Sequence, residues 1–424
     1  RIGCFLVVQK LFRDLQIEDV LSSIFGDLGS FIEDIVSYMI TNESCTFQCY
    51  SNFMRNHPVM DKNIRDDTQI SRLLKYNIKE QDINLFLRAW NQMNNTKECV
   101  YVGYDSTNFN TNAYGIELAD YGHPKVDEGL PQYNLAYAVN QKDSTPLFYE
   151  LYDGSVIDNT ELEIMLEEAK EFGHEKLGVL MDRGYISEKN IKALRTKGYE
   201  YILMMKQNQR ICQEIIEEYG AAVQSLEGYY IGEHGVYGTT VKKQLYGQET
   251  NIHVYYDDIR ASEEKVALMS RYETWEKEIE KKVEKKLATE GEMKKYRKVF
   301  KLKYDQNGYL VAYQRNSRYI KEEIRNLGFF FIMTSEDMSA SKALDIYRGR
   351  DNIEKMFRSL KSGIDFNKAR VHTTESLKSK VFVTFIAMIV RNELFQKAEE
   401  LRKKNRKAYT VPGMISELEN IECT

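Results

Sequence analysis

Apolar residues recur at helical spacing near the start of the chain, in LVVQKLFRDLQIEDVLSSIFG and again in FIEDIVSYMI. The stretch from Asn63 to Lys75 and the following NIKEQDINLFLRAWNQM predict further short helices, with Asp82 as a candidate N-cap. At 98–105 the pattern changes to ECVYVGYD, a β-branched and aromatic run that predicts a strand. YNLAYAVN (133–140) and PLFYELYDG (146–154) continue in strand fashion. A helical period returns in NTELEIMLEEAKEFG (159–173), with Asn159 or Thr160 as cap and Gly173 as stop. KLGVLMD (176–182) is a nearly continuous apolar run, as expected of a strand buried on both faces. ISEKNIKALRTKG (186–198) predicts a helix capped by Ser187, and YILMMK (201–206) another buried strand. Three strands, helix, strand, helix, strand predicts an α/β sandwich built on a mixed sheet.

Residues 207–336 break that order. Tyrosine-rich strand-like pieces (GYYIG, KQLYG, HVYYDD) precede a highly charged helix, YETWEKEIEKKVEKKLATEG. More strands follow, with a turn at Asp305–Gly308, and GFFFIMTS (328–335) leads back. This predicts an inserted, largely β module. A long helix is then expected from Ser339 or Ser341 through ALDIYRGRDNIEKMFRSLKSGI. The last helix, SLKSKVFVTFIAMIVRNELFQKAEELRKK, is apolar early and basic late. The expected division is a helical N-terminal domain over 1–96, a core in two parts over 97–206 and 337–400, the insertion between them, and a tail over 401–424.

Composition narrows the class. Apolar residues make up 42% of the 424, enough for a sizeable core, and the 29% that are charged argue against a membrane protein. The most apolar stretch, VFVTFIAMIV (381–390), is too short to span a bilayer. RIGCFLVVQKLF lacks the build of a signal peptide, and an initial Arg1 rather than Met leads us to expect a fragment. The six cysteines are scattered, and only Cys45 and Cys49 are close, so neither a zinc site nor a disulfide framework is expected. The net charge of −5 speaks against nucleic acid if read globally. Locally, KKYRKVFKLK (294–303) and LRKKNRK (401–407) are strongly basic. Each such run is either a solvated face or a contact for an anionic partner.

Candidate chemistry sits on three acids. Asp105 and Asp182 each close an apolar run, VYVGYD and GVLMD. On neighbouring parallel strands their carboxylates would lie side by side, and like charges that close need a cation between them. Hard oxygen ligands of this kind suit Mg²⁺. Each Asp could equally be a turn residue or a helix cap. On a continuous helix, at about 100° per residue, Tyr347, Arg350, Glu354 and Lys361 fall at about 0°, −60°, −20° and −40° and share one face. Ile346, Ile353, Phe357, Leu360 and Ile364 form the adjoining apolar stripe. An acid set among cations is also what a plain salt-bridge lattice looks like.

Tyr347-x2-Arg350-x3-Glu354-x6-Lys361 resembles, at every position, the Y-(2)-R-(3)-E-(6)-K signature of a large group of bacterial insertion-sequence transposases of the DDE type. YDST (104–107) is similar to their first-Asp motif and MDRGY (181–185) to their second, and the resemblance covers roughly residues 98–400. It implies a ribonuclease H-like mixed sheet flanked by helices and interrupted by a β-rich insertion. It implies that Asp105, Asp182 and Glu354 are catalytic and ligate two divalent ions, Mg²⁺ or Mn²⁺. It further implies that Tyr347, Arg350 and Lys361 hold the DNA backbone, with Arg183 touching DNA or pairing with an acid. The expected activity is cleavage at the element's ends and strand transfer into target DNA. The expected partners are terminal inverted repeats and target DNA, bound by a homodimer in the bacterial cytoplasm, at the nucleoid, with no membrane. A derivative that binds DNA without cutting it, and a nuclease without strand transfer, are the competing readings.

Trp275 and Tyr272 could stack a flipped base or pack the insertion. Ser106 and Thr107 follow the first Asp, but nothing marks the base and oxyanion hole a serine nucleophile needs. The histidines show no ligand spacing, and no Walker-type phosphate loop is present.

Overall fold

The computed structural model describes residues 1–95, 99–122, 129–156, 158–174, 176–181, 186–225, 227–285, 291–405 and 409–423. Two compact units emerge, one from residues 1–203 with 345–424, the other from 204–344.

The first unit opens with helices α1 (Gly3–Asp14), α2 (Ile17–Phe25), α3 (Leu28–Thr41), α4 (Tyr50–Asn56), α5 (Asp67–Arg72) and α6 (Glu80–Asn94). A π-helical turn, Leu73–Asn77, follows α5. Asp82 is not the N-cap of α6 as expected. Lys79 holds that position, and Asp82 sits three residues on, its carboxylate accepting the Lys79 backbone N–H at 3.0 Å. The largely buried sheet comes next: β1 (Val100–Asn110), β2 (Gln132–Asn140) and β3 (Pro146–Asp153), then α7 (Asp158–Glu171), β4 (Leu177–Met181), α8 (Glu188–Lys197) and β5 (Glu200–Met204). Ser187 caps α8 through Asn190 N–H, and Gly198, at φ 74°, stops it in the left-handed region where glycine carries no Cβ penalty.

Strands β3, β2 and β1 are antiparallel neighbours, whereas β1, β4 and β5 run parallel, in the order β3-β2-β1-β4-β5. That order and direction are consistent with a ribonuclease H-like sheet. The second unit contains α9 (Arg210–Ser225), β6 (Tyr230–Ile231), β7 (Val236–Leu245), β8 (Gln248–Tyr256), α10 (Asp258–Lys285), β9 (Phe300–Tyr304), β10 (Leu310–Arg315), α11 (Ser317–Asn326) and β11 (Phe329–Thr334). Its strands β11-β8-β7-β6 form an antiparallel set and β9-β10 a separate hairpin. The strands expected here are thus joined by helices, among them the 28-residue α10.

The chain returns through α12 (Ala340–Arg348) and α13 (Asp351–Arg358), and ends in α14 (Thr374–Asn405) and α15 (Val411–Leu418). Residues 381–390 of α14 are buried on every side. Phe382 packs edge-on to Phe86 of α6, while Phe385 packs on Tyr137 and Tyr149 of the sheet. A helix apolar all round is one covered all round, and α14 lies between the N-terminal helices and the sheet. Among the described residues, no helix is long and apolar enough to cross a membrane.

Candidate active site

Side chains alternate across a strand, so Asp105, Thr107 and Phe109 of β1 share one face. Asp105 stands opposite Tyr137 of β2 in the antiparallel register. Tyr137 in turn meets Phe357 of α13 edge-on at 5.8 Å. The acid therefore looks toward α13. Asp105 does not end its strand as the sequence led us to expect. The parallel pairing with β4 stops at Gly103↔Leu180, but the pairing with β2 continues to Asn110. The turn and helix-cap readings of Asp105 are thereby removed. Ser106 points to the other face and is buried, with 2% exposure, which leaves no accessible hydroxyl for nucleophilic chemistry.

The signature helix is not continuous. Gly349 and Arg350 separate α12 from α13, and a π-helical turn, Ser359–Gly363, follows α13. Glycine is a poor helix former, and here it has a packing reason as well. A Cβ on Gly349 would lie 2.7 Å from Gln141 Oε1, and one on Gly103 of β1 would collide with Gln141 Nε2. The Gln141 amide is thus clamped between strand and helix break, and both its polar atoms are buried with no hydrogen-bond partner among the described residues. The π turn is held from below by Arg391 of α14. Its guanidinium donates to Ser359 Oγ at 3.0 Å and to Glu43 at 2.6 Å, in the space a Cβ on Gly363 would need.

Four signature residues still converge on one side, through this broken path rather than one helical face. Arg350 Nη2 lies 4.0 Å from Asp105 Oδ2 and 3.7 Å from Glu354 Oε1. Arg350 Nη1 donates to Tyr347 Oη at 3.3 Å, and Tyr347 is buried. Lys361 Nζ donates to Thr107 Oγ1 at 2.7 Å and lies 5.2 Å from the Phe109 ring centre. Of the predicted apolar stripe, Ile353, Phe357, Leu360 and Ile364 are buried and Ile346 is half-buried. Glu354 remains exposed, and Asp105 is half-buried. Asp182 and Arg183 lie outside the described residues; the strand β4 closes at Met181, immediately before them.

The donor set suits a divalent cation. Two hard carboxylates flank a spot where a guanidinium already carries positive charge, and carboxylate oxygens are what Mg²⁺ and Mn²⁺ take. Among the described residues, no group of three or more His, Cys, Asp or Glu side chains could hold a metal ion. The described part of the site therefore supplies two of the three expected acids.

The insertion's aromatics have a structural job. Tyr272 is fully buried and Trp275 packs against the same cluster of Leu268, Ile279, Tyr296 and Phe300. Trp275 meets Tyr296 edge-on and lies under the Arg271 guanidinium at 5.3 Å. Both residues build the core between α10 and the β9-β10 hairpin, within the second unit.

The family model described as Transposase DDE domain matches residues 102–390. The chain belongs to the DDE transposase family. The match takes in Asp105, the signature residues of α12 and α13, and the whole of the second unit. Among solved structures, a piggyBac transposase synaptic complex with hairpin DNA is similar at 8% identity and a TM-score of 0.39, covering 84% of this chain. The transposase spans 59% of the length of that protein. The Drosophila P element transposase strand transfer complex is similar at 13% identity and a TM-score of 0.25, over 94% of this chain and 89% of the other. Neither likeness is close enough to bear on the site. No curated protein matches the chain. DDE transposases generally use divalent metal ions.

Gln141 and Arg391 were not singled out in the sequence, and Thr107 was weighed there only as a hydroxyl beside the first Asp. Gly349 and Gly363, two glycines inside a helical pattern, were the available signal that something packs close there.

Proposed function

We propose that the protein is a DNA transposase that cleaves at the ends of an insertion sequence and joins them to target DNA. Asp105, Asp182 and Glu354 are its catalytic acids in this reading. The observation that carries it is the meeting of Asp105 and Glu354 on one guanidinium, from strands and helices far apart in sequence. Parallel pairing of β1 with β4 supports the third acid, because Asp182 directly follows the last residue of β4.

The three acids would hold two Mg²⁺ or Mn²⁺ ions. Such ions make a bound water or 3′-hydroxyl more acidic and neutralise charge on the reacting phosphate. The chain's own residues orient the DNA. Arg350 suits bidentate contact with a phosphate and Lys361 a point contact. Tyr347 backs the guanidinium by accepting its hydrogen bond. Arg183 either adds a DNA contact or pairs with an acid. Phosphoryl transfer needs positioning and charge neutralisation above all, and these residues supply both. The helices of 1–96 grip the DNA end, and two DNA ends call for two active sites, hence a homodimer. Its place is the bacterial cytoplasm, on the nucleoid.

The test is cleavage and joining of the element's own inverted-repeat ends in Mg²⁺ or Mn²⁺, with Asp105→Asn and Glu354→Gln as controls. The reading expects nicked and joined products from the parent chain and neither from the variants. Cleavage that survives Asp105→Asn overturns the acid assignment. Nicking without joining would make the protein a nuclease, and end binding without cleavage a catalytically inactive relative.

A further inference from the structure

The basic run 294–303 has no part in the site above, and its structure gives it a definite shape. Strands β9 and β10 form a two-stranded ribbon whose residues alternate between two faces. Phe300, Leu302, Leu310 and Tyr313 belong to the face packed toward α10. Lys301 and Lys303 are exposed on the opposite face, where their cross-strand partners are Gln314 and the small Ala312. Lys294, Arg297 and Lys298, in the segment that leads into β9, are exposed as well.

The local acids do not cancel this charge. Glu276 of α10 pairs with Arg315, Glu280 accepts the Tyr313 hydroxyl at 2.8 Å, and Glu278 is taken up by Tyr296 and by Lys295 at 3.2 Å. Each of these acids is thus engaged by a partner other than Lys298, Lys301 or Lys303. Among the described residues, Lys294, Lys298, Lys301 and Lys303 make no ion pair. The result is a lysine-faced ribbon on a chain whose net charge is −5.

We propose that the outer face of the β9-β10 ribbon is a second DNA-binding surface that docks on the phosphate backbone of duplex DNA, independent of base sequence. This rests on the transposase reading for its partner and on the ribbon for its place. A two-stranded ribbon fits the width of the major groove. Lysines are point charges suited to phosphate, and backbone contacts position a protein without reading sequence. A chain repelled overall by DNA needs its attraction concentrated in such a patch. Lys301 and Lys303, two residues apart on one strand, stand about 7 Å from each other, so that each can meet its own phosphate.

The experiment measures binding of the full chain to a duplex of arbitrary sequence between 50 and 200 mM salt. Each neutralised phosphate adds about 0.9 to the slope of log affinity against log salt. Lys298→Gln/Lys301→Gln/Lys303→Gln should lower that slope by roughly 2 to 3 and weaken binding alike for unrelated duplexes. The matching triple Lys→Arg variant should keep the parent slope, which separates lost charge from lost folding. An unchanged slope in the Gln variant, or no duplex binding by the parent chain, overturns the proposal. Cleavage by Asp105→Asn is scored in parallel. If that variant still cuts while the ribbon variant loses its salt slope, the acid assignment fails and the docking surface stands.

Discussion

Lys361 donates a 2.7 Å hydrogen bond to Thr107, two residues along β1 from Asp105. The π turn that carries the lysine is thereby fixed to the strand that carries the acid. A hydrogen bond to a charged group contributes about 1.5–3 kcal/mol. Thr107→Val should therefore lower stability by about 2 kcal/mol in urea denaturation and reduce end cleavage, while Thr107→Ser keeps both. A valine variant equal to the parent on both counts would show that the contact positions nothing.

Gly349 sets the break between α12 and α13. A methyl group there would press on Gln141 Oε1 and on the Ile346 carbonyl, 3.1 Å away. Gly349→Ala is expected to cost about 1–3 kcal/mol, the usual range for overpacking, and to cut cleavage about tenfold by shifting Arg350. Adding Gln141→Ala frees the space and should recover most of the loss. Failure of the double variant to recover would place the strain elsewhere.

Arg350 stands between two carboxylates. Removing it leaves their repulsion unscreened until a divalent ion is added. The melting temperature of Arg350→Ala should fall in EDTA and rise on adding Mg²⁺ by more than that of the parent. Equal rises in both proteins would argue that the acids do not share the ion.

Glu33 of α3 is buried, and its Oε2 has no hydrogen-bond partner among the described residues. Burial, with Glu18 and Asp34 nearby, pushes its pKa from 4.5 up to about 8. The folded value lies above the unfolded one, so the stabilising contribution is full below pH 4.5 and is lost as pH rises through about 8. Glu33→Gln removes that loss. It should gain on the order of 3 kcal/mol relative to the parent between pH 4.5 and 8, read from denaturant midpoints at several pH values. A gap that does not widen with pH would mean the carboxyl is solvated.

Much of this architecture is written in simple periods. VYVGYD and KLGVLMD read as strands because β-branched and apolar residues run unbroken there, and Ser187 and Gly198 bound α8 through ordinary cap chemistry. The single helical face read from the spacing of Tyr347, Arg350, Glu354 and Lys361 does not hold, because the helix is broken. A constant turn of about 100° per residue assumes an unbroken helix, and Gly349 and the π turn each reset the phase. Those resets depend on Gln141 and Arg391, partners distant in sequence, and no local pattern encodes them. Trp275 was ambiguous for the same reason, since the hairpin that covers it lies beyond the end of its own helix.

Asp105 precedes the 204–344 unit in the chain and Arg350, Glu354 and Lys361 follow it. Synthesis on the ribosome therefore delivers the strand acid first, then some hundred-odd residues of another unit, and only afterwards the groups that complete the site. A message cut short before codon 345 yields a polypeptide with a carboxylate on β1 and nothing to face it. On the proposed assignment of the acids, interrupted translation releases no fragment that carries both Asp105 and Glu354.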